Sequence, residues 1–243
     1  MDLLDTEHYL RSIELLRDKI DCFSQYPFSL PVFRDLDYLE FHPQVTFIVG
    51  ENGTGKSTIL EAIAIAWGFN PEGGTRNFNF STRNSHSELH KYIRLIRGAR
   101  KPRNVFFLRA ETFYNLATQI DELKVSDFYG GQSLHEQSHG EAFFATFMNK
   151  FKGNGLYILD EPEAALSPMR QMAMISRMHD LVNQQSQFII ATHSPIIMGY
   201  PGAMILQISD NSFDLIEYEK TENYIIMKEF INNREKILEA LLE

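Results

Sequence analysis

The chain has one cysteine, Cys22, in 243 residues. A lone thiol excludes an intramolecular disulfide framework and suits a reducing compartment, so the expected location is cytoplasmic. Little positive charge opens the sequence: MDLLDTEHYLRSIELLRDKI carries acids where a secretory signal carries positive charge, so it is not expected to be one. Its spacing predicts an amphipathic helix over residues 3–20. No uninterrupted apolar run approaches the ~18 residues of a membrane span. Net positive charge is missing as well. A formal charge of −9 argues against a general nucleic-acid coat but leaves local basic patches open. There is no internal repeat and no low-complexity tract. The guanine-reading motif Asn-Lys-x-Asp is absent too, because Asn149-Lys150 lacks its aspartate.

What is present suits a globular chain with a sizeable core, at 44% hydrophobic and 12% aromatic residues. The length fits a single domain over residues 1–243 with a small helical lobe at about 112–150. Continuous apolar runs at 45–49 (VTFIV), 105–108 (VFFL), 156–159 (LYIL) and 187–191 (QFIIA) read as strands covered on both faces. They alternate with helical stretches at 58–67, 142–152 and 169–184. That alternation predicts an α/β fold with a mostly parallel core sheet and helices on both faces. Short apolar-polar alternations in LPVFRDLDYLEF (30–41) predict exposed strands of a second, antiparallel N-terminal sheet. Residues 205–209 and 213–219 predict a hairpin around Asp210-Asn211. A helix from about 221 to 243 closes the chain. Its candidates for burial are Ile225, Met227, Phe230, Ile231, Ile237, Leu238 and Leu241, packed by default on their own domain.

Between the first buried run and the next helix stands GENGTGKS, residues 50–57, which matches G-x-x-x-x-G-K-[ST]. Gly50, Gly53 and Gly55 let the backbone curl so that several N–H groups face one phosphate. The helix start adds its positive end. Lys56 neutralises β and γ phosphates, and Ser57 offers a hydroxyl to Mg²⁺. Residues Gly50, Glu51, Asn52, Gly53, Thr54, Gly55, Lys56, Ser57 and Thr58 are therefore the candidate ATP site. Chance alone supplies the four fixed positions in roughly one chain of this length in a hundred. A second element is LYILDEPE, 156–163, where a buried strand delivers Asp160 to the ligand-binding edge of the sheet. Asp160 is the candidate Mg²⁺-side acid, and Glu161 the candidate base for a water. The strand QFIIA ends in Thr192-His193, which puts an imidazole at the same edge as a donor to the γ-phosphate.

These elements, in this order, resemble the ATP-binding cassette (ABC) ATPases, with Gly50–Thr58, Leu156–Glu161 and His193 as phosphate loop, Asp-Glu strand and histidine loop. That resemblance implies one more element, a Ser-Gly-Gly-Gln-like signature about twenty-odd residues before the aspartate. YGGQSLHEQSHGE (129–141) offers two choices. From Ser138 to Asp160 the chain advances 22 positions, whereas Gly130-Gly131-Gln132 lies too far back and lacks the serine. Ser138-x-x-Glu141 is also a capping box, followed by Phe143, Phe144, Phe147, Met148 and Phe151 on one helical face. Ser138 and Gly140 are thus the candidate signature, and the glycine pair a turn. In the superfamily this element faces the γ-phosphate held by a second subunit, so the resemblance implies an ATP-dependent homodimer. Glu141 stands where the family has glutamine. Arg109-Ala110-Glu111 stands where its inter-lobe glutamine reaches Mg²⁺, and Glu111 is the candidate substitute.

DEPE followed by Leu-Ser-Pro, together with SHGE, resembles the stand-alone AAA-family ATPases related to SMC and RecF heads. Between Glu111 and Ser138 there is room for a few helical turns, not for a long coiled coil. The implied activity is an Mg²⁺-dependent ATPase acting on an unidentified protein partner, in nucleic-acid maintenance or defence. The alternatives are the ATPase subunit of a membrane transporter and a monomeric P-loop switch or kinase. Two lesser features remain. Lys91, Arg94, Arg97, Arg100, Lys101 and Arg103 form a basic patch that either meets nucleic-acid phosphates or is a solvated face. His86 and His90 share a helical spacing with no third metal ligand in view.

Overall fold

The structure, a computed structural model, describes residues 7–71, 73–74, 87–122 and 138–242. Among the described residues, nine strands fall into two sheets. The core sheet has six, ordered β5-β6-β7-β3-β8-β9, formed by β3 (Val45–Val49), β5 (Asn104–Arg109), β6 (Gly155–Asp160), β7 (Gln187–Ala191), β8 (Met204–Ser209) and β9 (Ser212–Leu215). All neighbours are parallel except the β8–β9 hairpin, which turns at Asp210-Asn211 as expected. The apolar runs are continuous because both faces are covered. In β6, Tyr157 and Leu159 enter one core while Leu156 and Ile158 enter the other.

On one face lie α3 (Phe113–Glu122), α4 (His139–Lys150), α5 (Pro168–Asn183) and the short α6 (Pro195–Met198). Phe143, Phe147 and Phe151 are fully buried there, each contributing about 2–3 kcal/mol of apolar transfer. Phe151 stacks on Tyr157 at 4.2 Å between ring centroids. Phe144 is partly buried beside them, but Met148, expected on the same face, is exposed.

On the other face α2 (Lys56–Trp67) lies between the core sheet and an antiparallel sheet ordered β2-β1-β4, made of β1 (Leu10–Leu15), β2 (Tyr38–Glu40) and β4 (Ile93–Arg97). The N-terminal segment corrects one expectation. Residues 10–15, placed within a helix over 3–20, form the central strand of this sheet. Their backbone groups find partners on both sides, and buried Gln187 bonds Tyr9 and Leu10 to the core sheet at 2.8–3.0 Å. Those long-range bonds override a local pattern that served either element. Likewise the exposed strands expected over 30–41 reduce to β2, preceded by a helical turn, α1 (Pro31–Arg34), that buries Val32 and Phe33.

The C-terminal segment brings a second correction. It forms two helices, α7 (Glu222–Asn232) and α8 (Arg234–Leu242), and neither has a buried residue. Ile225, Met227, Phe230, Ile231 and Leu241 are exposed, and Ile237 and Leu238 only half-buried. The start of α7 meets α6 and the histidine loop through Asn223, but the apolar stripe beyond it is left uncovered by the described residues. No helix among the described residues is long and apolar enough to cross a membrane.

Candidate active site

The phosphate loop leaves β3 with Gly50, Gly53 and Gly55 all at positive φ. At Gly50 a Cβ would stand 3.0 Å from the Ile208 carbonyl oxygen, and at Gly55, with φ +111°, it would meet the Phe33 ring at 3.2 Å. Gly55 is the N-cap of α2 and offers no side-chain acceptor, so the first N–H groups of the helix point at the loop interior. Lys56, only 4% exposed, folds its ammonium onto the carbonyls of Gly50 (2.9 Å) and Glu51 (2.7 Å). Burial holds its pKa below the usual lysine value, against the opposing pull of Glu161, Asp160 and Glu163. Thr54 Oγ1 closes the loop on the Glu51 carbonyl at 2.9 Å, and Thr58 Oγ1 meets the Tyr26 hydroxyl at 3.1 Å. Beside the loop opens a cavity of about 480 Å³, walled by residues 49–54, the end of β8 and the first residues of α7. Curled backbone, buried ammonium and an uncapped helix start together fit a polyphosphate.

Asp160 ends β6 nine-tenths buried, and Ser57 Oγ donates to its Oδ1 at 3.0 Å. Burial pushes this carboxyl up to about 6, although the Arg109 guanidinium and the Ser57 hydroxyl both pull it down. A hydroxyl and a carboxylate oxygen in contact are the hard donors Mg²⁺ prefers when phosphate supplies the rest of its shell. No group of three or more His, Cys, Asp or Glu side chains suited to a metal occurs among the described residues.

Arg109 is the residue that sequence reasoning undervalued. Parallel register sets it beside Asp160, with Nε 3.3 Å from Oδ2, close enough for charge attraction yet not aligned as a hydrogen bond. Its other nitrogens meet Glu61 at 2.9 Å and Glu111 at 3.2 Å, so one guanidinium serves three carboxylates. The available signal was a cation closing the strand next to the one that ends in aspartate. Glu111, the candidate Mg²⁺ ligand, is 82% exposed in its side chain and turned to Arg109.

Glu161 takes a left-handed conformation, φ 50° and ψ 52°, at a cost of about 1–3 kcal/mol. The bond from its N–H to the Ala191 carbonyl (3.0 Å) holds it there. Its carboxylate lies 3.7 Å from His193 Nε2, which is buried with no hydrogen-bond partner among the described residues. Glu163, which sequence reasoning missed, positions the histidine loop: its carboxylate accepts from the His193 N–H and from Thr192 Oγ1. Burial raises its pKa, and those bonds oppose the rise. From α7, the Asn223 side chain donates to the His193 carbonyl.

At the candidate signature, Ser138 caps α4 and forms the full reciprocal box with Glu141. The Ser138 bonds, and then Arg170 at 3.3 Å, hold the Glu141 carboxyl below the usual range. Gly140 is a close approach: a Cβ there would stand 2.4 Å from the Ala165 carbonyl oxygen, in the turn that follows Glu161. The described contacts of Ser138 and Glu141 do not reach the phosphate loop. Gly130-Gly131-Gln132 and His86 lie outside the described residues, and His90 bonds the Ser87 carbonyl.

No curated protein matches the chain in sequence. Among solved structures, the SMC head domain from Thermotoga maritima is 18% identical, covering 86% of this chain and 99% of that one, with a TM-score of 0.44. A putative metal-chelate type ABC transporter in an inward-facing conformation is 18% identical, covering 90% and 87%, at 0.48. CbiO1 from Clostridium perfringens, part of the ABC transporter complex cbiONQ, is 17% identical, covering 97% and 100%, at 0.46. The AAA domain family matches residues 27–243, nearly the whole length. The chain belongs to the AAA domain family.

Proposed function

We propose that this protein binds ATP with Mg²⁺ and hydrolyses it to ADP and phosphate, and that bound ATP draws two copies into a head-to-tail pair acting on a partner protein. One observation carries the reading: Lys56, the Ser57–Asp160 contact and the Glu161–His193 pair converge at one sheet edge, with His193 Nε2 buried and without a hydrogen-bond partner among the described residues. Lys56 exchanges its two backbone carbonyls for phosphate oxygens. Ser57 and Asp160 would hold Mg²⁺, whose charge offsets that of the phosphates. Glu161 orients a water and takes its proton. The water oxygen bonds to the γ-phosphorus as the bond to the bridging oxygen breaks, and ADP departs with that electron pair. His193, in the tautomer that carries a proton on Nε2, donates to a γ-oxygen.

The pairing half of the proposal rests on α4. Its capped start with Ser138 and Gly140 would meet the γ-phosphate of the other copy, and the Gly140–Ala165 approach ties that start to the turn leaving Glu161. Glu161→Gln is the decisive variant. It should bind ATP within about threefold of wild type, lose at least about 100-fold in turnover, and become a dimer by light scattering with ATP and Mg²⁺. Wild-type turnover would remove Glu161 from its role. A monomer under those conditions would remove the pairing.

A further inference from the structure

The patch at 91–103 divides once it is folded. Lys91 is engaged by Glu88, Arg94 by Glu14, and Arg100 by the side chains of Asn154 and Gln185. Arg97, Lys101 and Arg103 line a cavity of about 570 Å³, and the fourth cation of its wall, Lys150, comes from the far end of α4. Three separate elements therefore bring four cations to one hollow in a chain whose net charge is −9. Arg97 is laid over the Trp67 ring, 4.3 Å from its centroid, which fixes the direction of its guanidinium. Burial, and then the neighbouring Lys152, hold the Lys150 ammonium below its usual pKa, and an anion in the hollow would offset both. No acid lies among the described lining residues. The rest of the wall is Asn104 and apolar surface. The hollow sits at the start of β5, about 17 Å along that strand from Arg109 and the candidate ATP site.

We propose that the cavity formed by Arg97, Lys101, Arg103 and Lys150 is a binding site for the phosphodiester backbone of a single nucleic-acid strand. A strand fits better than an isolated phosphate because the hollow is far larger than one phosphate group and its cations are spread over three elements. Cationic walls beside apolar surface also match the two parts of a nucleotide unit. A concave site admits a flexible strand more readily than the convex backbone of a duplex. This site does not depend on the ATPase reading, since it uses none of its residues.

The test measures fluorescence anisotropy of a labelled oligothymidylate at several salt concentrations. It compares wild type with two double variants that remove equal charge. Lys101→Gln with Arg103→Gln should weaken binding at least tenfold and lower the salt slope by about 1.4, roughly 0.7 for each lost phosphate contact. Lys91→Gln with Arg94→Gln, outside the cavity, should change affinity less than twofold. Circular dichroism of both pairs checks that they fold, and unchanged ATP affinity shows that any loss is local. Equal weakening by both pairs would reduce the site to general charge and overturn the proposal. So would failure of wild type to bind the strand at low salt, or binding of pyrophosphate alone.

Discussion

Two helices of this protein begin where phosphate is expected, and they begin differently. α2 starts at a glycine in a left-handed conformation, without a side-chain cap, and its first residue is a nearly buried lysine. α4 starts at Ser138, whose hydroxyl caps the helix while Glu141 returns the bond, on an exposed surface. The first start leaves backbone donors open to water or to a ligand. The second satisfies itself. A self-capped start is stable in a single copy; on the proposed function it serves an anion brought by another, and the uncapped start a ligand of its own chain.

The largest expected effect separates the two starts directly. Lys56→Ala should lower ATP affinity at least about 100-fold, some 2.7 kcal/mol, by isothermal titration. Ser138→Arg should leave that affinity within about threefold yet abolish ATP-dependent pairing of the Glu161→Gln protein. If both variants lose ATP binding alike, the distinction between the starts fails. A smaller effect comes from Gly140→Ala. Its methyl must displace the Ala165 backbone from 2.4 Å, which should cost about 1–3 kcal/mol in urea unfolding. An unchanged midpoint would show that the approach of α4 to the turn after Glu161 is loose. Smallest is Ser138→Ala, which removes only the cap. A loss of about 1 kcal/mol, seen as roughly 2–4 °C in Tm, is expected. No change in Tm would mean that α4 does not rely on its box.

Most of the site's residues were legible because they belong to short segments whose backbone and chemistry are set locally. Gly55 and Lys56 declare a phosphate loop wherever a buried strand precedes them, and Ser138 with Glu141 declares a helix start. Arg109 was harder to weigh, since its meaning comes from the register that pairs it with Asp160 and from Glu61 on α2. Glu163 was missed for a similar reason. In sequence it is one acid in an acid-rich turn, and only folding sets it under the histidine loop. The four cations of the second cavity include Lys150, which no local pattern connects to Arg97.

The amphipathic segments mark the same boundary. α4 and α7 both carry apolar stripes, yet Phe147 is fully buried and Ile231 is 68% exposed. Residues 10–15 carry a pattern that suits a helix and became a strand between β2 and β4. The sequence by itself determined where buried strands run, where the phosphate loop curls and which residues bring charge to the sheet edge, because neighbours in the chain fix those properties. Tertiary structure decided which apolar stripe finds a surface, which strands pair and which charges meet. Those outcomes depend on the sheet faces and backbone partners left open by segments far away in the chain.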